Sequence, residues 1–307
     1  MDAEPPDDPH VEAAAEPPDD PHVEAAEESG TADHPCYGDG THKEFGRIHL
    51  PVAPDCNVSC GYCDRRFDCP NENRPGVSSD VLSPEEAVDR VGEILDEESR
   101  ITVAGFAGPG DSLANEETFE TLELLNERHP QLKGCISTNG LLLPDRVDRL
   151  DDLGVETVTV TVNAVDSDIG EEIYGGVTYE GTVYQGQEAF QLLLFQQLRG
   201  IRKAVDRGMV VKVNSILIPG VNEDHLPTVA ETAADLGAYV HNVTPLIPMA
   251  EFAEHESPDH QQVAAVREAC GGHLNQFRNC QQCRADAAGM LADDRSLASV
   301  NVTGGQP

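Results

Sequence analysis

The chain has 307 residues, 39% of them hydrophobic, enough for one large domain or two modest ones. Its 56 acidic residues face 20 basic ones, four lysines and sixteen arginines, for a formal net charge of -36. A chain this acidic repels nucleic acid and anionic membrane, whose phosphates require clustered Lys and Arg, and it suits the high-salt cytoplasm of a halophile, where ions screen the self-repulsion.

The chain opens with a duplication. AEPPDDPHVEAA runs from Ala3 to Ala14 and again from Ala15 to Ala26, and residues 1–33 carry twelve acids with no Lys or Arg. A repeat of Pro, Asp and Ala offers no apolar face to bury, so a disordered acidic tail over 1–33 is expected, with His10 and His22 solvated rather than metal-bound. The start MDAEPPDDPH has neither the basic n-region nor the apolar h-region of a signal peptide, and no apolar run is long enough to span a membrane. A cytoplasmic protein without a membrane span is the expectation.

From His34 strand-like and helix-like runs alternate. Strands are predicted at Arg47–Ala53, Ile101–Ala107, Gly134–Thr138, Thr157–Val162, Val210–Ile218 and Tyr239–Leu246, each rich in Val, Ile or Thr and bounded by Gly, Pro, Asn or Asp. Between them, Ser83-Pro84-Glu85-Glu86 supplies an N-cap, a first-turn proline and an acidic first turn. Further helices are predicted at Glu116–Arg128, Pro144–Leu153, Gly186–Arg207 and His225–Leu236. Strand then helix, about six times over, predicts an α/β chain with a parallel sheet and right-handed crossovers: a partial (β/α)6 barrel rather than a full eight. The core barrel is placed at 34–250 and a polar C-terminal extension at 251–307.

Nine cysteines in a reducing compartment argue against disulfides, and an odd number excludes a complete framework, which leaves metal or cluster ligation as the leading use. The first strand leads into Cys56-Asn57-Val58-Ser59-Cys60-Gly61-Tyr62-Cys63. Three thiolates at this spacing can hold three irons of a [4Fe–4S] cube and leave the fourth without a protein ligand. An open iron can chelate the amino and carboxylate groups of S-adenosylmethionine (SAM), and the reduced cluster can pass an electron to the sulfonium, breaking a C–S bond to give a 5′-deoxyadenosyl radical. A zinc knuckle is the competing reading, with Cys69 six residues on as a fourth ligand. The place at the C-terminal mouth of the first strand, with aromatic Tyr62 beside the last cysteine, favours the radical reading.

This motif on this fold resembles the radical SAM superfamily. Several longer strings resemble, in order, one family within it, the NifB family of nitrogenase cofactor biosynthesis: His34-Pro35-Cys36-Tyr37, Val52-Ala53-Pro54-Asp55-Cys56-Asn57, Asn71-Glu72-Asn73-Arg74-Pro75-Gly76, Ala107-Gly108-Pro109-Gly110-Asp111, Ser137-Thr138-Asn139-Gly140, Val211-Lys212-Val213-Asn214-Ser215 and Cys280-Gln281-Gln282-Cys283-Arg284-Ala285-Asp286. The resemblance implies a lyase-type enzyme of nitrogen fixation. Two further [4Fe–4S] clusters would be its substrates, fused around a SAM-derived carbide into the eight-iron precursor of the nitrogenase cofactor. It implies His34, Cys36, His42, Cys69, Cys135, Cys280 and Cys283 as metal ligands beside the triad, with His49 in the same N-terminal motif as a ligand or a support for one. It also implies that the turn Gly108-Pro109-Gly110-Asp111, with Tyr62 beside the triad, contacts SAM, Asp111 accepting from its amino group. Asn139, Asn163, Asn214 and Ser215 fall at C-terminal strand ends, the mouth where barrel active sites assemble, so each is a candidate either to contact the ribose or carboxylate of SAM or to cap the next helix. Glu72 and Arg74, on the loop after the triad, would gate the site or handle protons. An iron–sulfur donor protein and a cofactor-acceptor scaffold protein are the implied partners.

Cys270 falls outside every matched string and reads as a small buried apolar residue. Cys280 and Cys283 are expected to reach the barrel by folding back over its open mouth; as half of a zinc site they would lack a second knuckle. The chain ends soon after this pair, so the cofactor-carrier domain that some family members append is expected to be absent. Two other functions compete. One is a radical enzyme whose auxiliary clusters pass electrons to an organic or peptide substrate. The other is a non-catalytic iron–sulfur scaffold or carrier, which the intact triad and the Gly-rich turn disfavour.

Overall fold

The computed structural model describes residues 31–297 apart from 38, 39, 72, 75 and 292. The duplicated segment, with His10 and His22, and the candidate Glu72 lie outside the described residues. In chain order the strands are β1 (Gly46–His49), β2 (Val58–Cys60), β3 (Ile101–Phe106), β4 (Lys133–Thr138), β5 (Val155–Thr161), β6 (Tyr174–Tyr179), β7 (Thr182–Gln185), β8 (Val210–Leu217), β9 (Val240–Pro245), β10 (Ala287–Met290) and β11 (Asp293–Ser296). The helices are α1 (Pro84–Glu97), α2 (Glu116–Arg128), α3 (Leu143–Asp152), α4 (Ser167–Ile173), α5 (Gly186–Asp206), α6 (Leu226–Asp235) and α7 (His260–Gly271).

Strands β1, β3, β4, β5, β8 and β9 are the six that the sequence predicts. They pair in parallel, each laid beside the one before it. An unbroken chain-order progression is the topology of a (β/α) barrel rather than of a doubly wound sheet. The sheet stays open, because β1 gives its other edge to antiparallel β10, which pairs in turn with β11. Local chemistry starts the helices where the sequence says it should. Ser83 caps α1 by accepting from the Glu86 amide, the Glu86 carboxylate accepts in return from the Ser83 amide, and Pro84 occupies the first turn.

Hydrophobic burial is concentrated between sheet and helices. Ile48, Ala104, Ile136, Val158, Val160 and Val213 pack outward against Val88, Val91, Phe119, Val147 and Ile201. The opposite face of the same strands is different. Arg47 and His49 on β1, Gly105 on β3, Cys135 and Ser137 on β4, Thr159 on β5 and Lys212 on β8 line an internal cavity, at the two-residue period of a strand. A packed (β/α) barrel fills its axis with branched aliphatic side chains. Here small, polar and thiol side chains leave the axis hollow.

Three features depart from the sequence reading. A second sheet, in the order β2-β6-β7, stands beside the barrel. Its β6–β7 hairpin turns at Glu180 and Gly181, which have φ of 49° and 74°, as a two-residue hairpin requires. Residues 251–297 do not form a separate extension. They supply α7, where the polar run hides a helix capped by Asp259 and Gln262, and then β10 and β11 of the main sheet. Finally, packed chain begins before the boundary expected at 33, since Thr31 is buried and the Asp33 carboxylate lies 2.6 Å from Lys133 Nζ. Cys270, on α7, is buried in the main core as expected.

Candidate active site

The triad loop leaves β1 through Ala53, which forms a parallel bridge to Pro109, and it is clamped to the loop after β3. Gly110 N–H donates to Ala53 C=O (2.5 Å) and Asp111 N–H to Asp55 C=O (2.8 Å), while Asn115 both donates to and accepts from the Asp55 backbone. A Cβ on Gly110 would sit 2.2 Å from Asp55 O, so only glycine permits this approach. The far end of the loop is fixed by β2, which pairs with β6, and by Gly61 N–H donating to Ile173 C=O (2.8 Å). The otherwise unexplained second sheet therefore holds Cys60 in place. Gly110→Ala is expected to destabilise the protein by about 1–3 kcal/mol, as overpacking does, and to lower the iron held by the triad, both read from melting and iron content. An unaltered variant would show that the two loops are not rigidly coupled.

Cys56, Cys60 and Cys63 converge on one cavity together with Cys69, Arg65, Asn71, Asp111 and Asn139. Burial pushes the Cys56 thiol up to about 11 and those of Cys60 and Cys69 well above the usual range. Burial raises Cys63 too, partly countered by Arg65. Neutral thiols in such a place become thiolates only when a metal compensates the charge. Asp111 is buried, and its carboxylate accepts from Thr138 Oγ (3.0 Å), Asn139 N–H (2.6 Å) and Leu113 N–H (3.1 Å), so its first task is to fix the ends of β3 and β4 around the cavity. Asn139 donates to Asn57 Oδ1 (2.7 Å) and toward Cys56 Sγ (3.8 Å).

The other SAM candidates are placed differently. Tyr62 is buried outside the cavity lining, its hydroxyl donating to Asn71 Oδ1 and accepting from Asn163 Nδ2, both at 2.6 Å. Asn214 donates to the Asn71 carbonyl (2.5 Å), and Ser215 donates to the Val162 carbonyl and meets His241 Nε2. Tyr62, Asn163 and Asn214 thus build the wall behind Asn71, while Ser215 ties β8 to Val162 and to β9. Gly108 and Pro109, joined by a cis peptide, use their carbonyls to accept from Ala53 and Cys69. Arg74 has an exposed side chain, and its amide donates to the Cys283 carbonyl (2.9 Å).

A second cavity lies deeper in the barrel and shares Ala107 and Ser137 with the first. His34, Cys36, Cys135, Cys280 and Cys283 all line it. Cys69 is not among its lining residues and belongs with the triad; His42 lines neither cavity. Cys280 and Cys283 arrive by a route unlike the one expected. Gln276 bridges to His241, beside β9, Phe277 N–H donates to the His241 carbonyl, and β10 then pairs with β1. The segment crosses the gap between the two edge strands instead of folding over the mouth. The extended edges offer unpaired backbone groups there, and the crossing satisfies them.

The two imidazoles differ in what they present. His49 Nδ1 lies 2.9 Å from the Arg284 carbonyl, which can only accept, so the ring proton sits on Nδ1 and the Nε2 lone pair stays available. Burial, with Arg47 adding to it, depresses His49 to about 3 and keeps it neutral. A Cβ on Gly105 would lie 2.7 Å from His49 Cδ2, so this glycine makes room for the ring. His34 Nδ1 instead accepts the Cys36 amide (3.1 Å), which puts its proton on Nε2, a buried atom with no hydrogen-bond partner among the described residues. Sequence reasoning singled out neither Arg47 nor Lys212, which also line this cavity; their signal was a basic residue at an inward strand position of a predicted barrel.

These donors suit clusters better than single ions. A zinc ion needs about four donors converged at roughly 2.0–2.3 Å. No group of three or more His, Cys, Asp or Glu among the described residues is placed to hold one metal ion. Thiols set around two hollow spaces match a cofactor that has volume of its own. No helix among the described residues is long and apolar enough to cross a membrane.

Comparison with known proteins agrees with this geometry. Residues 50–233 match the model of the Radical SAM superfamily. The FeMo cofactor biosynthesis protein NifB of Klebsiella pneumoniae is 48% identical over 272 residues, covering 86% of this chain and 58% of that protein. That of Methanocaldococcus infernus is 46% identical over 266 residues, covering 86% and 87%. The chain thus spans little more than half the length of several curated relatives that it matches. Among solved structures, a radical SAM methyltransferase from Sphaerobacter thermophilus superposes with a TM-score of 0.52 at 18% identity, covering 76% of this chain and 64% of that one. A methylornithine synthase gives 0.52 at 14%, covering 82% and 70%. At such identities these two speak for the fold alone. Identity near one residue in two across most of the chain carries more, and it places the protein in the radical SAM superfamily, whose cofactors are a [4Fe–4S] cluster and SAM, and within it in the NifB family.

Proposed function

We propose that the protein is a radical SAM enzyme of nitrogenase cofactor biosynthesis that joins two [4Fe–4S] clusters, with a carbide taken from SAM, into an eight-iron product. Cys56, Cys60 and Cys63 would hold the resident cluster, which when bound chelates SAM and cleaves it reductively to a 5′-deoxyadenosyl radical. The deeper cavity would take the substrate clusters on Cys36, Cys135, Cys280 and Cys283. On lone-pair grounds His49 is better suited than His34 to serve as a nitrogen ligand, while His34 presents an N–H to the occupant. Asp111 and Asn139 shape the SAM side of the upper cavity, and the wall of Tyr62, Asn71 and Asn163 excludes water from it. Substrate delivery and product removal call for an iron–sulfur donor and a cofactor-acceptor protein.

One observation carries the reading: the two cavities share Ala107 and Ser137 as lining, so the space held by the triad lies directly against the space lined by the other thiols. Iron and sulfide quantification on anaerobically purified protein, with electron paramagnetic resonance before and after SAM addition, tests it. Three clusters are expected, with one signal perturbed by SAM and the other two consumed on turnover. Auxiliary signals that survive turnover would indicate an electron-transfer enzyme acting on an organic substrate, and the absence of SAM cleavage would indicate a carrier.

A further inference from the structure

Clusters that are substrate must reach the deeper cavity from solvent, and its lining shows where the wall is thinnest. Of the described residues that line it, Gln281 alone is exposed. Half-buried Cys280 precedes it and buried Cys283 follows, and both thiols line the cavity too. Gln282, with φ of 47°, lies in the left-handed region that few non-glycine residues adopt, and the bend there returns the chain to the cavity. The location in the barrel accounts for the thin wall. An open barrel has a seam between its edge strands, and here residues 277–284, which form no helix or strand, close it. A segment without a hydrogen-bonded ladder is the part of an enclosure that opens at least cost. The charge around this turn also differs from that of the rest. From Ala269 to Ala285 there is no Asp or Glu, in a chain where 56 of 307 residues are acidic. Arg278 is exposed, and Arg267, half-buried on α7, donates to the Val243 carbonyl at 2.7 Å and 3.2 Å. Neither is ion-paired among the described residues. Arg267 lies within electrostatic reach of both Arg278 and Cys280. An anion approaching this molecule is repelled by most of its surface and attracted at this turn.

We propose that the turn at residues 278–283 is the port through which anionic [4Fe–4S] clusters enter the deeper cavity, Arg278 drawing them to it and Cys280 being the first protein thiol they meet. The inference rests on the assignment of that cavity to substrate clusters and is independent of the triad. Entry is ligand exchange: each protein thiol that binds an iron gives its proton to the thiolate it displaces, and the cluster keeps its oxidation state. The probe is a synthetic [4Fe–4S] cluster with four small thiolate ligands, a dianion, added anaerobically to the full chain after its iron has been removed. Iron retained through desalting is measured at timed intervals for the parent, Arg278→Glu, Gln281→Glu and Arg278→Lys. Gln281→Glu is nearly isosteric, so it stays readable if charge reversal at Arg278 disturbs folding. Both Glu variants are expected to load about tenfold more slowly than the parent at 0.1 M salt, where the screening length is about 10 Å. At 1 M salt, where it is about 3 Å, the difference should nearly close. Arg278→Lys should load at the parent rate. Assembly from ferrous ions and sulfide brings no preformed anion through the port, and it should reach the parent's iron content in every variant. Equal rates at 0.1 M salt would overturn the proposal. A slowing that salt does not relieve, or iron lost by both routes of loading, would do so as well, by making these residues structural. A parent that takes up the iron of one cluster alone would instead overturn the assignment of the deeper cavity, and that is visible before any variant is made.

Discussion

Replacing Cys56, Cys60 or Cys63 by alanine is expected to reduce release of 5′-deoxyadenosine from SAM to background while iron in the deeper cavity is retained. Each thiolate holds one iron, and its loss leaves a cube with two open irons and no defined site for the methionyl chelate. The structure adds a qualification that the spacing does not contain. Cys69 opens on the same cavity, its amide tied to Pro109 C=O at 2.8 Å, so it is the thiol positioned to replace a missing ligand. Such a replacement would restore iron without restoring the triad's geometry toward SAM. Each single variant is therefore best paired with its Cys69→Ala double: iron should fall further in the double, and cleavage should be absent from both. Undiminished 5′-deoxyadenosine from any triad variant would remove the radical assignment.

The double variant Cys280→Ala, Cys283→Ala should behave in the opposite way, keeping SAM cleavage and losing the eight-iron product. The two thiols come from the segment that spans the gap from β9 to β1, and none of the triad's supports is made by them. Removing Cys283 Sγ takes one acceptor from Arg47, a loss of about 1.5–3 kcal/mol for a bond to a charged group, but the two carbonyls that Arg47 also reaches remain. The fold should survive, and iron should fall by up to one cluster. If the pair instead formed a zinc site, its binding energy would be folding energy, and the variant would unfold. Zinc in the parent protein, or unfolding of the variant, would sink the substrate-cluster role.

Much of the barrel was legible in the chain because β-α units announce themselves. A strand buried on one side by helices reads as a run of Val and Ile, and helix starts carry their own chemistry, as Ser83, Pro84 and Glu86 do. The hairpin of β6 and β7 was less visible. Tyr174–Gln185 has the alternation of a strand pair around Glu180-Gly181, but the strands are short and follow a short helix, so no long period marks them. Helix α7 was hidden because only Cys270 of its twelve residues is buried, which leaves a polar run with almost no apolar stripe.

By itself the sequence determined the six parallel strands, the spacing that makes Cys56, Cys60 and Cys63 a three-point ligand, and the chemical identity of every donor. Those are local properties, set by side-chain pattern and by distance along the chain. Only the tertiary structure decided how the donors divide. It placed Cys69 with the triad, His34, Cys36, Cys135, Cys280 and Cys283 in one deeper cavity, and Tyr62 in a wall. It also brought Arg47 and Lys212 inside and gave His49, not His34, a lone pair facing the cavity. These outcomes turn on which strand edges the C-terminal segment bridges and on which backbone carbonyl meets which ring nitrogen. Such contacts join residues up to 243 positions apart, as Arg47 and Met290 are, and no local period encodes them.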